Sequence, residues 1–174
     1  MRKDSTLIME KTHLIGRSIE KELFIKATPE RVFQALTEKA DLERWFVQKA
    51  EVDLRPGGAI RFEWAPDVFN VGKILVLEPP HRLSYSWEAL EPSPTTITFA
   101  LTAENDGTRL YLIHTGIGEE EDWDNYYTAL NSGWNVHFKN LTAWLETGIC
   151  EPPGPTGDLH KGSESGPHAS SNGT

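Results

Sequence analysis

The chain has 174 residues, with 26 Asp and Glu against 17 Lys and Arg and a formal net charge of -9. That length fits one ordinary domain able to bury about two-thirds of its unfolded surface without a disulfide or metal, and the acidic balance argues against nucleic acid or anionic lipid surfaces, which are bound through clustered Lys and Arg. A single cysteine, Cys150, excludes an internal disulfide or a paired-thiol site and fits a reducing, cytoplasmic setting.

The apolar run Leu7 to Met9 is too short for a signal peptide, and no other stretch approaches the roughly 20 residues needed to cross a bilayer, so a soluble, unexported protein is expected. Residues 1–17 read as a flexible N-terminal segment, 18–148 as one folded domain and 149–174 as a disordered tail. The tail begins with Glu151-Pro152-Pro153-Gly154-Pro155 and then carries too few large apolar side chains to offset its ordering entropy.

Ile19 to Lys26 alternates imperfectly and is rich in strand formers, giving a first strand. Thr28-Pro29-Glu30 marks a helix start, with Thr28 as cap, Pro29 at the first helical position and Glu30 beside the positive end of the dipole. Val32, Phe33 and Leu36 form the apolar face of that helix. A second short helix carries Leu42, Trp45 and Phe46, with Asp41 as its expected cap.

Period-two alternation then predicts an antiparallel meander. Ile60, Phe62 and Trp64 share one face of a strand entered through Pro56-Gly57-Gly58. Gly72 to Glu78 forms the next strand, ending at Pro79-Pro80, and Leu83, Tyr85 and Trp87 share one face of the following one. In the strand Thr95 to Thr102, Ile97, Phe99 and Leu101 point inward and the threonines outward. Asn105-Asp106-Gly107 is a hairpin signal leading to Leu110, Leu112 and His114 on one face of the last strand. Tyr127, Leu130, Trp134, Phe138, Leu141 and Leu145 lie at helical spacing, with Gly148 as the stop and Gly133 as a point of kinking or close approach.

These elements predict an α+β fold: a curved antiparallel sheet of about six to seven strands around a long C-terminal helix, with two short helices after the first strand. The stretches Ala27-Thr28-Pro29-Glu30-Arg31-Val32-Phe33-Gln34-Ala35-Leu36-Thr37, Trp45-Phe46, Gly57-Gly58, Glu78 to Trp87, Gly107-Thr108-Arg109-Leu110 and Gly133-Trp134 occur in the order found in one family. In them the chain resembles the SRPBCC domains similar to the activator of heat-shock-protein-90 ATPase, a branch of the START-like, Bet v-like superfamily. The resemblance implies a helix-grip fold with a cavity between sheet and C-terminal helix.

The ligand-binding set expected of that cavity is Trp45, Phe46, Phe62, Trp64, Tyr85, Trp87, Phe99, Leu112, His114, Trp134, Phe138 and Leu141, since such sites are mostly apolar with a few orienting polar groups. The same rings would equally serve as core. His114 is an anchor for a ligand carbonyl, a proton donor, or a histidine hydrogen-bonded to its surroundings. Glu63, Glu88 and Glu91 are the carboxylates available for acid or base chemistry, and strand phase or loop position argues against each. The acidic run Glu119 to Asp124 reads as a solvated helix start, the alternatives being a docking site for a basic partner or a lid over the cavity mouth that would include Trp123, Tyr126 and Tyr127. The six histidines show no metal-ligand spacing, and no catalytic residue, metal or cofactor is assigned.

The leading expectation is therefore non-catalytic binding or sequestration of a small hydrophobic or amphipathic molecule, lipid-like or polyketide-like. A regulatory partnership with a heat-shock chaperone ATPase, implied by the family name, is the alternative, and a cyclase or hydrolase acting in the same cavity is the second. The expected partners are a small apolar ligand and a chaperone, with neither nucleic acid nor membrane, and the expected state is monomer or weak dimer.

Overall fold

Strand alternation and helix capping set the order of the elements. The computed structural model describes residues 16–88 and 94–151, so most of the N-terminal segment and tail, and Glu91, lie outside the described residues. β1 (Arg17–Ile25) leads into α1 (Pro29–Thr37) and α2 (Lys39–Trp45). Thr28 Oγ1 accepts the Arg31 N–H at 3.2 Å and Pro29 opens the helix, as their residue types dictate.

At α2 the structure departs from the sequence reading. The N-cap position belongs to Glu38, which makes no side-chain cap bond, and Asp41 lies within the first turn. Its carboxylate is committed elsewhere, accepting both Arg31 guanidinium nitrogens at 2.9 and 2.7 Å and the Trp144 indole N–H at 2.8 Å.

The sheet comprises β2 (Lys49–Val52), β3 (Ala59–Ala65), β4 (Val68–Glu78), β5 (Arg82–Trp87), β6 (Thr95–Glu104) and β7 (Gly107–Ile117) together with β1. Its order is β1-β7-β6-β5-β4-β3-β2, and every pairing is antiparallel. β2 has no clear signal in the sequence because four residues with Lys and Glu make a weak pattern; its pairing with β3 from Lys49↔Glu63 to Val52↔Ile60 defines it. β4 starts at Val68, earlier than Gly72, after a turn in which Asp67 takes a φ of 64°.

β4 pairs with β3 through Val68 to Lys73 and with β5 through Ile74 to Glu78, with a register shift between Ile74 and Val76. That stagger, together with the irregularity, bends the sheet. Gly72 lies so close to the Ser86 backbone carbonyl that a Cβ there would overlap it. In the β6–β7 hairpin, Glu104 pairs with Gly107 across a two-residue turn, and Asn105 takes a φ of 51°.

α3 (Asp122–Thr147) closes one face of the sheet. It buries Trp123, Tyr126, Gly133, Trp134, Phe138 and Leu141, and Gly148 ends it with a φ of 72° and its N–H bonded to the Trp144 carbonyl. Asp41 pins α1, α2 and the last turns of α3 to one another. Loss of solvent opposes its ionisation, but the Arg31 and Trp144 hydrogen bonds and the Arg31 charge outweigh this and hold the carboxyl below its ordinary 3.8.

A depressed folded-state pKa adds stability above the unfolded value that is lost as pH falls through the folded value. Because Arg31 is partly exposed, solvent screening reduces the gain. Asp41→Asn is expected to lower unfolding free energy by about 1–2 kcal/mol at neutral pH. The deficit should shrink below pH 3.8, as read from urea unfolding across pH.

Candidate ligand-binding site

Strand phase and helix phase converge on an aromatic assembly between sheet and α3. Phe46, just after α2, is its hub, with ring centroids 4.9 Å from Trp45, 5.4 Å from Phe62, 5.0 Å from Trp64, 5.9 Å from Trp134 and 4.9 Å from His137. β3 supplies Phe62 and Trp64, β5 Tyr85 and Trp87, β6 Phe99, and β7 Leu112 and His114. Across from them α3 supplies Trp134, Phe138 and Leu141, and all of these residues, with Trp45, are buried.

The structure divides this set. Phe46, Trp64, Trp87 and Trp134 line a partly open cleft of about 30 Å³, together with Ala129, Leu130, Gly133 and His137 of α3. Trp45, Phe62, Tyr85, Phe99, Leu112, His114, Phe138 and Leu141 lie in the core away from its wall. Trp45, for instance, donates its indole N–H to the Ala35 carbonyl at 2.9 Å. A cavity needs about 10–15 Å³ to hold one water, whereas small-molecule sites run to about 300–1,000 Å³. In this conformation the rings themselves occupy most of the space beneath α3.

Four of the cleft residues, Ala129, Leu130, Gly133 and His137, are absent from the sequence-derived set. Their signal is helical spacing: Tyr126, Leu130, Gly133 and His137 recur at intervals of four and three, but a glycine and a histidine do not register as an apolar stripe.

His114 is wholly buried and both its ring nitrogens are used. Nδ1 accepts the Trp134 indole N–H at 3.1 Å, and because an indole only donates, the imidazole proton resides on Nε2. Nε2–H therefore donates to Thr95 Oγ1 at 2.7 Å, and Thr95 passes its own hydroxyl proton to the Trp87 carbonyl at 3.2 Å. The outward orientation expected of the β6 threonines holds for exposed Thr102 but not for Thr95, which is in phase with Ile97 and shares its inward face. Desolvation lowers the His114 pKa to about 3, so the ring is neutral at physiological pH.

Two polar atoms near the cleft have no hydrogen-bond partner: Trp87 Nε1 and the Tyr126 hydroxyl. Burial pushes the Tyr126 phenol up to about 12, opposed in part by the nearby Trp87 N–H, but the pair does not complete a hydrogen bond. Of the carboxylates, Glu63 pairs with Lys49 at 3.2 Å on the opposite strand face, and Glu88 is exposed. Cys150 Sγ donates to the Arg44 carbonyl at 3.1 Å, and burial raises its pKa. Among the described residues no three His, Cys, Asp or Glu side chains gather as metal ligands, and no helix is long and apolar enough to cross a membrane.

A seven-stranded antiparallel sheet gripped by a long C-terminal helix, with two short helices after β1, defines a helix-grip domain of the SRPBCC class. A family model described as activator of Hsp90 ATPase homolog 1-like protein matches residues 26–146, and the chain belongs to that family. Among solved structures it is similar to MLL2253 from Mesorhizobium loti, at 26% identity over 75% of this chain and 97% of that one, with a TM-score of 0.68. The Aha1 dimer from Colwellia psychrerythraea is similar at 25% identity over 76% and 98% of the two chains, also with a TM-score of 0.68. CalU16 from Micromonospora echinospora is 28% identical over 76% of this chain and 78% of that one, with a TM-score of 0.63. No curated protein matches the sequence.

The His114 environment has a measurable consequence. Its folded pKa of about 3 lies below the ordinary 6.5, so between those values the unfolded state holds the extra proton and stability rises with pH. The contribution is present above pH 6.5 and lost as pH falls toward 3, with a slope of up to about 1.4 kcal/mol per pH unit. His114→Gln, which retains one donor and one acceptor, is expected to flatten the stability curve over that window in chemical denaturation at stepped pH.

Proposed function

We propose that this protein binds a small hydrophobic or amphipathic molecule, lipid-like or polyketide-like, in the cleft between α3 and the β3–β5 side of the sheet, without chemical turnover. The observation that carries the reading is the make-up of the cleft wall. Four large rings, Phe46, Trp64, Trp87 and Trp134, meet two small residues, Ala129 and Gly133. Small side chains on the helix opposite aromatic rings leave room between helix and sheet, and the rings offer flat apolar surface to whatever enters.

A ligand burying about 300 Å² at about 25 cal/mol per Å² gains roughly 7 kcal/mol gross, before the costs of association and of moving α3. Micromolar binding is consistent with that gain. The absence of turnover rests on His114, whose nitrogens are both bonded within the protein and whose neutral state is stabilised by burial. The setting we infer is cytoplasmic.

N-Phenyl-1-naphthylamine, a neutral apolar fluorophore, provides the test, alongside native mass spectrometry of the freshly purified protein for any co-purifying molecule. The probe should brighten on binding at micromolar concentrations. Ala129→Phe, placed to fill the cleft from the helix side, should weaken it by tenfold or more with thermal unfolding unchanged. Leu130→Ala, which widens the cleft, should retain or tighten binding. Failure of the probe to bind, or binding unaffected by Ala129→Phe, would remove the ligand reading and bring forward a chaperone-ATPase partnership, measurable as a changed chaperone ATPase rate.

A further inference from the structure

Trp87 differs from Trp45, Trp64 and Trp134, three other buried tryptophans of this fold. Trp45 donates its indole N–H to Ala35, Trp64 to Asn70 and Trp134 to His114, and the half-buried Trp144 donates to Asp41. The N–H of Trp87 reaches no partner although the residue is only 3% exposed. The Tyr126 hydroxyl, on a residue 9% exposed, is likewise unpartnered. A buried polar group without a partner is costly, and a fold that satisfies the indoles of Trp45, Trp64, Trp134 and Trp144 leaves this pair to be explained.

Their location supplies the explanation. The Trp87 ring is part of the cleft wall. Tyr126 lies one helical turn before Ala129 and Leu130, in phase with Gly133 and His137, so it stands at the N-terminal end of the helix face that forms the other wall. An indole N–H can only donate, so an atom that satisfies Trp87 must be an acceptor; a phenol can donate to the same atom, and a carbonyl oxygen has two lone pairs to receive both. No Lys or Arg lines the cleft, and His137 is the one lining side chain able to carry positive charge, so an anionic carboxylate would find no permanent counter-charge there.

We propose that the cleft selects molecules bearing a neutral carbonyl oxygen, of ketone or quinone type, which the Trp87 N–H and Tyr126 O–H bind together. This rests on the reading of the cleft as the ligand site. It adds a chemical class: an apolar body with an uncharged acceptor at the entering end, as against a hydrocarbon chain or a fatty acid.

Two nearly isosteric probes separate the possibilities, 2-acetylnaphthalene with a carbonyl and 2-ethylnaphthalene without one, titrated calorimetrically into the full-length protein. The ketone is expected to bind about tenfold tighter, a difference appropriate to hydrogen bonds made to otherwise unpaired donors. Tyr126→Phe, the milder substitution, should cut that preference to threefold or less while leaving 2-ethylnaphthalene affinity unchanged. Trp87→Phe should act in the same direction wherever it remains folded. Equal affinity for the two probes, or a preference that survives Tyr126→Phe, would overturn the carbonyl subsite while leaving the cleft as an apolar site. Binding of neither probe would overturn the cleft reading itself, and this proposal with it.

Discussion

The hydrogen bond from Trp134 to His114 joins α3 to β7 at the centre of the molecule, and the arrangement around it follows from that junction. A buried histidine is tolerable only if both nitrogens are satisfied. The requirement fixes the tautomer, turns Thr95 inward and orients its hydroxyl toward the carbonyl of Trp87. One polar thread therefore runs from α3 through β7 and β6 to β5, inside a core that is otherwise aromatic and aliphatic. Because an apolar interface alone permits sliding, directional bonds of this kind give the helix a defined position on the sheet.

The anchorage of α3 differs in kind along its length. Toward its C-terminal end, Phe138 and Leu141 are buried and Trp144 is held by the carboxylate of Asp41, which also carries Arg31. At its N-terminal end, Arg17 bonds the Gly118 carbonyl at 2.9 and 2.7 Å and Asp124 at 2.6 Å, and lies over the Tyr127 ring. Asp124 is largely exposed, and pairs of that kind contribute only about 0–1 kcal/mol. Trp123 and Tyr126 are also buried in this half, and the cleft opens beside it, lined from the helix by Ala129, Leu130, Gly133 and His137.

Much of the fold was legible because its signals are local. Thr28-Pro29 caps and opens α1, Gly148 ends α3, and the alternation of Phe62 with Trp64 or Leu83 with Tyr85 marks strand faces from neighbouring residues alone. What was misread depends on distant partners. Asp41 has the residue type and position of a cap, yet Trp144, a hundred residues away, claims its carboxylate. Thr95 carries a polar side chain in an inward phase, and only His114 makes that position favourable. β2 becomes a strand through its pairing with β3.

By itself the sequence determined the class of fold, the family and the aromatic, inward-facing stock of residues, because periodicity, capping and composition act over a few neighbours. Tertiary structure alone decided which of those rings would be core and which would border a cleft. It also decided that His114 would be consumed by Thr95 and Trp134, and that Trp87 and Tyr126 would be left with unspent donors. Those outcomes depend on distances and angles between side chains remote in the chain, which hydrogen bonding resolves to tenths of an ångström and no local pattern encodes.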